Sequence, residues 1–339
     1  MLNERYEPLG VLGEGGFAEV LRVRDQRLGR EVALKRPLAS STSAADVEAF
    51  QKEARLTSML EHPSIAPLYD SDVDASGLPF LCLRVVRGRT MAEIIERLNE
   101  GDAALFEAYP YRERIAIFLK VCEAVAHAHD NGIYHRDIKP GNIMIGDLGQ
   151  VFLLDWGLAR REDPTVRDRA DSANFFKGTL LYAPPEAVVG EPFTAQSDLY
   201  SLGATLYEWL SLRPLFEGKD GGAVLMAVLD EEPVSPYNHR HPIQGRVPIE
   251  ISRIIMGTLA KNKARRPASV HAFAARLRTW LQGEVKPECP CTVVKFTFEH
   301  LMEWVNNRPL LAPFLLLWLL YPAIALLQVL LDRLLWNVP

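Results

Sequence analysis

The fold is decided by the stretch YHRDIKPGN at residues 134–142 and by the triplet DWG at residues 155–157, which follows the apolar run VFLL. Four further short motifs lie outward from this centre. They are LGEGGFAEV at 12–20, VALK at 32–35, PPE at 184–186 and SDLYSLG at 197–203. Any one of these motifs could occur by chance, so the information lies in their order and in the intervals between them.

The glycine-rich motif and the VALK motif both suit a phosphate group. Gly13, Gly15 and Gly16 would let backbone N–H groups approach phosphate oxygens without a side chain in the way. Lys35 stands at the end of a predicted strand, and its compact ammonium charge also suits a phosphate. Taken alone, each motif has a plainer interpretation, which is a hairpin turn for the glycines and an exposed strand residue for the lysine.

A buried Lys35 would need a counter-charge. Glu53 is the first candidate, because it lies on a helix predicted over residues 44–60 that could pack beside the lysine strand. Glu48 and Glu61 compete for the same place. The spacing along the chain does not choose among the three carboxylates.

In their order and spacing, these motifs resemble those of a eukaryotic-type (Hanks-type) serine/threonine protein kinase. The positions at which they differ from the usual motifs of that family resemble its bacterial branch. The resemblance covers about residues 6–281. It implies an α+β, bilobal fold, with a small antiparallel β-rich N-lobe that holds one main helix and a larger, mostly helical C-lobe. Lys139, two residues after Asp137, resembles the lysine of serine/threonine kinases and not the sequence usual in tyrosine kinases.

The resemblance implies a role for each charged part of the site, with ATP and Mg²⁺ (or Mn²⁺) as cofactors. Asp137 would accept or orient the proton of the substrate hydroxyl, and Lys139 would touch the transferring phosphate. Asn142 and Asp155 would hold the metal, because Mg²⁺ prefers oxygen ligands. The residues expected around the nucleotide are Leu12, Gly13, Gly15, Gly16, Val20, Ala33, Lys35, Glu53, Asn142 and Asp155.

Other residues resemble supporting parts of a kinase. Asp198 would brace the catalytic loop, and Glu186 with Arg266 would form a buried ion pair. Two departures stand out: Trp156 replaces the usual phenylalanine, and Arg84 lies in the connector between the lobes, where an acidic residue is common. None of the departures removes a charged part of the site.

Regulation by phosphorylation is a further expectation. Arg136 resembles the arginine that binds a phosphate on the activation segment, and Thr165 and Ser172 are the candidate phosphosites. Autophosphorylation would supply that phosphate. The plainer alternative is a polar, mobile loop with no such role.

Composition limits the other classes of function. The chain has 339 residues and a formal net charge of −5, which argues against nucleic acid as its main partner. Its N-terminus lacks the apolar stretch of a signal peptide. Cys289 and Cys291 form a lone C-x-C pair, which is read more simply as reduced thiols than as a metal site.

A long apolar run lies near the far end of the chain. Pro309 to Leu331 are 23 residues without a charge, about the length that a helix needs to cross a bilayer. A buried core helix and a helix lying flat on a surface are the alternatives. The sequence thus predicts a single-pass membrane protein with its kinase domain in the cytoplasm, where ATP is, and the anchor could also pair two copies as a homodimer.

The predicted domains follow from these assignments. They are an N-lobe at 1–86, a C-lobe at 87–282, a linker at 283–308, a transmembrane helix at 309–331 and a short tail at 332–339. Predicted strands occupy 6–36 and 78–86, and predicted helices occupy 44–60, 90–99, 111–130, 195–211, 222–230, 249–260 and 270–281.

Two other functions fit parts of the pattern. A pseudokinase scaffold would keep the fold as a binding module, but its charged set is usually incomplete, whereas this chain has every member. A small-molecule kinase usually lacks the substrate segment around PPE and the SDLYSLG helix motif. The main expectation is therefore a protein kinase that modifies serine or threonine residues of other proteins.

Overall fold

The computed structural model describes residues 4–14, 18–38, 44–74, 77–161, 180–217 and 221–283, together with Tyr321. The chain divides into two compact units, Met1–Gly283 and Glu284–Pro339. The predicted membrane span lies outside the described residues except for Tyr321. Within the described ranges, no helix combines the length and the apolar character that crossing a bilayer requires.

The first part of the chain forms a five-stranded antiparallel sheet in the order β1-β2-β3-β5-β4. Its strands are β1 Tyr6–Glu14, β2 Ala18–Asp25, β3 Arg30–Pro37, β4 Leu68–Val73 and β5 Pro79–Leu83. Successive side chains of a strand point to opposite faces. One face buries an apolar cluster that includes Val23, Leu34 and Phe80, and the other face receives the helix α1, Ala44–Ser58.

Helix α1 packs on the sheet through one stripe of its surface. Phe50 and Ala54, four residues apart and therefore on the same side of the helix, contact Leu81 of β5. Lys35 pairs with Leu81 across β3 and β5, so the lysine side chain lies on the α1 face of the sheet. This packing brings the middle of α1 next to the end of β3.

The second part of the chain is mostly helical. Its helices are α2 Met91–Asn99, α3 Ala103–Ala108, α4 Tyr111–Asp130, α5 Pro185–Val188, α6 Ala195–Ser211, α7 Gly221–Asp230, α8 Ile249–Thr258 and α9 Val270–Leu281. Most positions of α4 and α6 are buried, and these helices form the centre of the lobe. Gly203 lets α6 approach α8 closely, because a Cβ at this position would lie 2.0 Å from Thr258 Oγ1.

Short strands connect the helices of this lobe. They are β6 Gly88–Thr90, β7 Ile133–Tyr134, β8 Ile143–Gly146, β9 Val151–Leu153, β10 Arg160–Arg161, β11 Arg240–His241 and β12 Gly245–Arg246. β6, β8 and β9 form a three-stranded sheet, β7 pairs with β10, and β11 pairs with β12. Gly88 has φ 153, and a Cβ there would lie 2.1 Å from the Ile145 oxygen, so the close contact of β6 with β8 requires glycine.

The predicted two-lobed α+β architecture is confirmed. All seven predicted helices are present, although those predicted over 44–60 and 249–260 end at Ser58 and Thr258. The hydrophobic pattern predicts neither β4 of the small lobe nor α3, α5 and the short strands of the large lobe. These elements contain only two to six residues, too few to show a hydrophobic period.

Candidate active site

The β8–β9 hairpin places two predicted metal ligands at one end of the large lobe. Asn142 directly precedes β8, and Asp155 lies two residues after β9. The Leu154 N–H donates to the Asn142 oxygen at 2.8 Å, so the two chain ends stay joined beyond the strands. Antiparallel pairing therefore brings together two side chains that are separated by a dozen residues.

Lys35 reaches this end of the hairpin from the small lobe. Its Nζ donates to Glu53 Oε1 at 2.6 Å and to Asp155 Oδ1 at 2.9 Å. Of the three carboxylates that the spacing left open, Glu53 on α1 is the partner, whereas Glu48 and Glu61 are exposed. The ammonium group thus links α1, β3 and the segment after β9.

The charges at this junction shift the pKa values in opposite directions. Burial alone would lower the pKa of Lys35, but the carboxylates of Asp155 and Glu53 outweigh it and raise that pKa. The nearby Lys35 lowers the pKa of Asp155 to about 2, despite the opposing effect of burial. The lysine is therefore charged and Asp155 is ionised throughout the neutral range.

Asp137 is held by the two polar residues that follow it. Lys139 Nζ donates to Asp137 Oδ2 at 2.7 Å. The Asn142 amide nitrogen donates to the same carboxylate oxygen at 2.9 Å and to the Asp137 main-chain oxygen at 2.8 Å. Asp137 Oδ1 accepts no hydrogen bond from the described residues, so it can accept a proton or a donor from a substrate.

Asp198 fixes the backbone that leads into Asp137. Its carboxylate accepts the N–H groups of His135 and Arg136, both at 2.9 Å, and pairs with His129 Nε2 at 2.8 Å. Burial alone would raise the pKa of Asp198, but these donors lower it. Arg136 has φ 72, a conformation that costs energy for a non-glycine residue, and the bond to Asp198 helps to offset this cost.

The two residues after Asp155 are a buried tryptophan, Trp156, and a half-buried glycine, Gly157. The buried indole of Trp156 lies 4.5 Å from the His135 ring, and its Nε1–H donates to the Leu153 oxygen at 3.3 Å. A Cβ on Gly157 would lie 3.2 Å from Asp155 Oδ1 and 3.2 Å from Glu53 Oε2. A side chain at this position would therefore press on the carboxylates around Lys35.

Three residues predicted to surround a nucleotide share one face of the small-lobe sheet. Val20 pairs directly with Lys35 across β2 and β3, and Ala33 lies two residues before Lys35 on the same strand. Directly paired residues, and residues two positions apart on one strand, point to the same side. Leu12 and Gly13 lie on β1, whereas the predicted Gly15 and Gly16 are outside the described residues.

The residues present fit a hard divalent cation. The Asn142 nitrogen donates to Asp137, which leaves the Asn142 amide oxygen as an acceptor, and Asp155 is ionised. Two oxygen donors suit Mg²⁺, which keeps waters and takes substrate phosphate oxygens as its other ligands. In the described part of the chain, no group of three or more His, Cys, Asp or Glu side chains could hold a metal by itself.

A buried ion pair fastens the segment after residue 180 to the helices below. Arg266 Nη1 donates to Glu186 Oε1 at 2.7 Å, and Arg266 Nη2 donates to Glu186 Oε2 at 2.8 Å. Ser197 at the start of α6 also donates to Glu186, at 2.8 Å. The candidate phosphosites Thr165 and Ser172, like Cys289 and Cys291, lie outside the described residues.

Two features of the site, His129 and the close packing at Gly157, have no signal in the sequence. His129 lies in the last turn of α4, where it looks like an ordinary surface residue, and only packing brings it to Asp198, 69 residues away. In the sequence, Gly157 is only the third residue of the DWG motif. That a side chain would not fit at Gly157 becomes clear only when the structure places Glu53 next to it.

A family model described as protein kinase domain matches residues 6–277. The chain belongs to the protein kinase family. The match includes both lobes and every described residue of the site. The match also spans the motifs of both lobes, from the glycine-rich motif of the small lobe to the DWG motif of the large lobe.

Curated bacterial proteins of this kinase family are similar to the chain. It is 33% identical over 309 residues to a probable serine/threonine-protein kinase of Corynebacterium efficiens, covering 87% of this chain and 45% of the relative. It is 34% identical over 295 residues to the serine/threonine-protein kinase PknB of Mycobacterium leprae, covering 85% of this chain and 45% of the relative. A probable serine/threonine-protein kinase of Streptomyces coelicolor is 34% identical over 287 residues, with coverage of 84% and 41%.

These relatives confirm the predicted family and its bacterial branch. The chain spans less than half the length of each of the three relatives. What the longer proteins do outside the shared part therefore does not transfer to this chain.

Proposed function

We propose that this chain is a serine/threonine protein kinase, which moves the γ-phosphoryl group of ATP onto hydroxyl groups of protein substrates. The observation that carries the proposal is the convergence of two charged groups of residues. One joins Lys35, Glu53 and Asp155, and the other joins Asp137, Lys139 and the neighbouring asparagine. Phosphoryl transfer depends mostly on positioning and charge neutralisation, and this set supplies both.

Each residue has a defined task in this proposal. Lys35, held in place by Glu53, binds the α- and β-phosphates of the nucleotide. Asp137 orients the substrate hydroxyl and accepts its proton through the carboxylate oxygen that carries no bond in the described structure. Lys139, 2.7 Å from Asp137, neutralises charge on the transferring phosphoryl group. Mg²⁺ held by the asparagine and by Asp155 would supply further charge neutralisation at the phosphates.

The choice of serine and threonine as acceptors rests on two supports. Lys139 resembles the corresponding lysine of serine/threonine kinases, and the relatives in Corynebacterium, Streptomyces and Mycobacterium carry that activity in their names. A pseudokinase scaffold is the alternative. It would bind partners without phosphoryl transfer, and the complete charged set favours the enzyme.

A kinase assay of the full chain tests the proposal, using a generic acceptor protein, radiolabelled ATP and Mg²⁺ or Mn²⁺. Asp137→Asn should lower the rate by at least about 100-fold, because it removes the proton acceptor. Glu48→Gln is the matched control, since Glu48 is an exposed carboxylate on α1 outside the site, and it should leave the rate unchanged. A wild-type protein that binds Mg²⁺ and ATP without transferring phosphate would support the scaffold instead.

We also propose that residues 309–331 form a single membrane span, with the kinase domain on the cytoplasmic side and residues 283–308 as the linker. The 23 uncharged residues support this, and so does the need of the enzyme for cytoplasmic ATP. Deletion of residues 308–339 should move the protein from the membrane fraction to the soluble fraction. A deletion variant that stayed with membranes would contradict the anchor, and cross-linking of the intact protein would show whether the span pairs two copies.

Autophosphorylation of the activation segment is the last part of the proposal. Incubation with Mg²⁺ and ATP should add phosphate between residues 160 and 180, at Thr165 or Ser172, as read by mass spectrometry. The Asp137→Asn protein should remain unmodified. If wild-type protein is active but carries no phosphate between residues 160 and 180, this step is refuted and the kinase activity still stands.

A further inference from the structure

The connector between the lobes, residues 84–87, carries an arginine at each end. It runs from the end of β5 to the start of β6, and Arg84 and Arg87 are both exposed. The two arginines have no part in the phosphoryl-transfer site, so their contacts need a separate explanation.

Arg84 contacts both lobes. Its backbone N–H donates at 3.2 Å to the oxygen of Pro67, the residue before β4 of the small lobe. Its guanidinium carbon lies 5.5 Å from the centre of the Phe152 ring, within the range of a cation–π interaction. Phe152 is a buried residue of β9, the strand that leads into Asp155. Arg84 therefore joins the end of the small-lobe sheet to the base of the metal site.

Arg87 makes a second pair of contacts with the two lobes. Its Nη2 lies 3.1 Å from Glu31 Oε2 on β3 of the small lobe. Its main-chain oxygen accepts the N–H of Asp147, in the β8–β9 turn of the large lobe, at 3.3 Å. The guanidinium is 72% exposed and Glu31 is 30% exposed, so this ion pair is weak by itself.

The four contacts act on one short piece of backbone. Each arginine supplies one contact to the small lobe and one to the large lobe, through a side chain in one case and a backbone group in the other. A connector held in this way cannot tilt freely when the lobes rotate. The resemblance to protein kinases implies that the backbone of this connector contacts the edge of the adenine ring when ATP binds. The position of the connector before binding then determines how much affinity is lost when it has to move.

We infer that Arg84 and Arg87 form a clasp that holds the connector against both lobes, and that they are positioning residues for nucleotide binding. The inference rests on the proposed function, because it concerns the same ATP site. The clasp acts on affinity for the nucleotide through the connector backbone. It leaves the charged residues that carry out the transfer step in place.

The test measures the dissociation constant of a non-hydrolysable ATP analogue with Mg²⁺ on the full chain. Arg84→Met keeps apolar bulk over Phe152 and removes the cation, and it should weaken binding about two- to fivefold. Arg87→Glu should weaken binding by a similar factor. The exchanged pair Glu31→Arg with Arg87→Glu should restore the wild-type value, because it re-forms the ion pair with its charges reversed.

Nucleotides are anions, so loss of any nearby positive charge could weaken binding. Arg89→Met is the matched control, since it removes the same charge two residues beyond Arg87 and should leave the dissociation constant unchanged. In activity assays, the variants of Arg84 and Arg87 should raise the KM for ATP and leave kcat at saturating ATP intact. A merely structural role would lower the melting temperature without this division between KM and kcat.

The outcomes separate the clasp from the proposed function. A wild-type protein that fails to bind the nucleotide would refute the proposed function itself. Normal binding by wild type with an unchanged constant in Arg84→Met and Arg87→Glu would overturn the clasp alone. The same loss in Arg89→Met, or no restoration by the exchanged pair, would also overturn it, because general charge would then explain the effect.

Discussion

Replacement of Arg266 by methionine should destabilise the protein strongly, because it breaks a fully buried ion pair. The side chains of Arg266 and Glu186 are 0% and 4% exposed. The arginine also donates to the main-chain oxygens of Gln196 at 2.7 Å and of Ala260 at 2.9 Å. Arg266→Met leaves a buried carboxylate and these oxygens without the donor.

The expected loss of unfolding free energy is about 3–5 kcal/mol, the usual cost of removing one member of a buried pair. For a domain of this size, that loss corresponds to a melting temperature lower by on the order of 10 °C. Replacing both partners, as in Arg266→Met with Glu186→Leu, should recover part of the loss, because no buried charge then remains unpaired. Lys263→Met is the control, since its pair with Glu191 is exposed and contributes less than about 1 kcal/mol.

The pH dependence of this loss gives a second readout. Burial alone would raise the pKa of Glu186, but Arg266 outweighs burial and lowers that pKa in the folded protein. The wild-type pair therefore stabilises the fold above the ordinary carboxylate pKa and loses this contribution as pH falls through the lowered value. Without the arginine, burial raises the pKa of Glu186, and the side chain can take up a proton in mild acid.

Thermal unfolding followed by circular dichroism at pH 8 and pH 5 would measure both effects. The difference between wild type and Arg266→Met should be smaller at pH 5, because protonation removes the unpaired charge of Glu186. A loss no larger than that of the exposed control, or one that is the same at both pH values, would refute the reasoning about buried charge.

Three further predictions follow from single contacts. Gly203→Ala should lower the unfolding free energy by about 1–3 kcal/mol, because the added methyl group overpacks against α8. Gly257→Ala is the control, since its new methyl group would have its nearest neighbour at 3.8 Å, and it should cause no such loss. Denaturant titration measures both unfolding free energies, and equal values would contradict the prediction. Lys35→Met should raise the pKa of Asp155 above about 2, and carbon-13 NMR of the labelled carboxyl would show no shift if the lysine were not the cause. Burial lowers the pKa of His135, so the stability of the protein should fall as pH drops below about 6.5. The fall should be smaller in His135→Phe, which has no group to protonate at this position. Melting temperatures that change equally with pH in both proteins would contradict this.

The family and the two-lobed fold could be predicted because their signals are local. The motifs are short runs of neighbouring residues, and the long helices show the 3.6-residue hydrophobic period. The short helices α3 and α5 show no such period. The predicted ends of α1 and α8 are two residues too late, because a periodic pattern does not define where backbone hydrogen bonds stop.

Most of the candidate site could also be named from sequence. The family resemblance implied the Glu186–Arg266 ion pair and the contact of Asp198 with the catalytic loop, and the structure confirms both. The partner of Lys35 could not be chosen from spacing. Glu53 was the first candidate for the partner of Lys35, but the spacing alone did not exclude Glu48 and Glu61. The choice fell to Glu53 because Phe50 and Ala54 turn that side of α1 toward the sheet. The roles of the predicted site residues remain predictions that the activity assays test.

The sequence by itself determined which chemical groups the protein has and the order in which they occur, since motifs and periods are properties of neighbouring residues. Motif spacing did not decide which of these groups meet, and the tertiary structure did. Lys35 and Asp155 are 120 positions apart, and His129 and Asp198 are 69 apart. Such contacts depend on how helices and sheets bury their apolar faces against each other, and side-chain packing in three dimensions is not encoded in the distance along the chain.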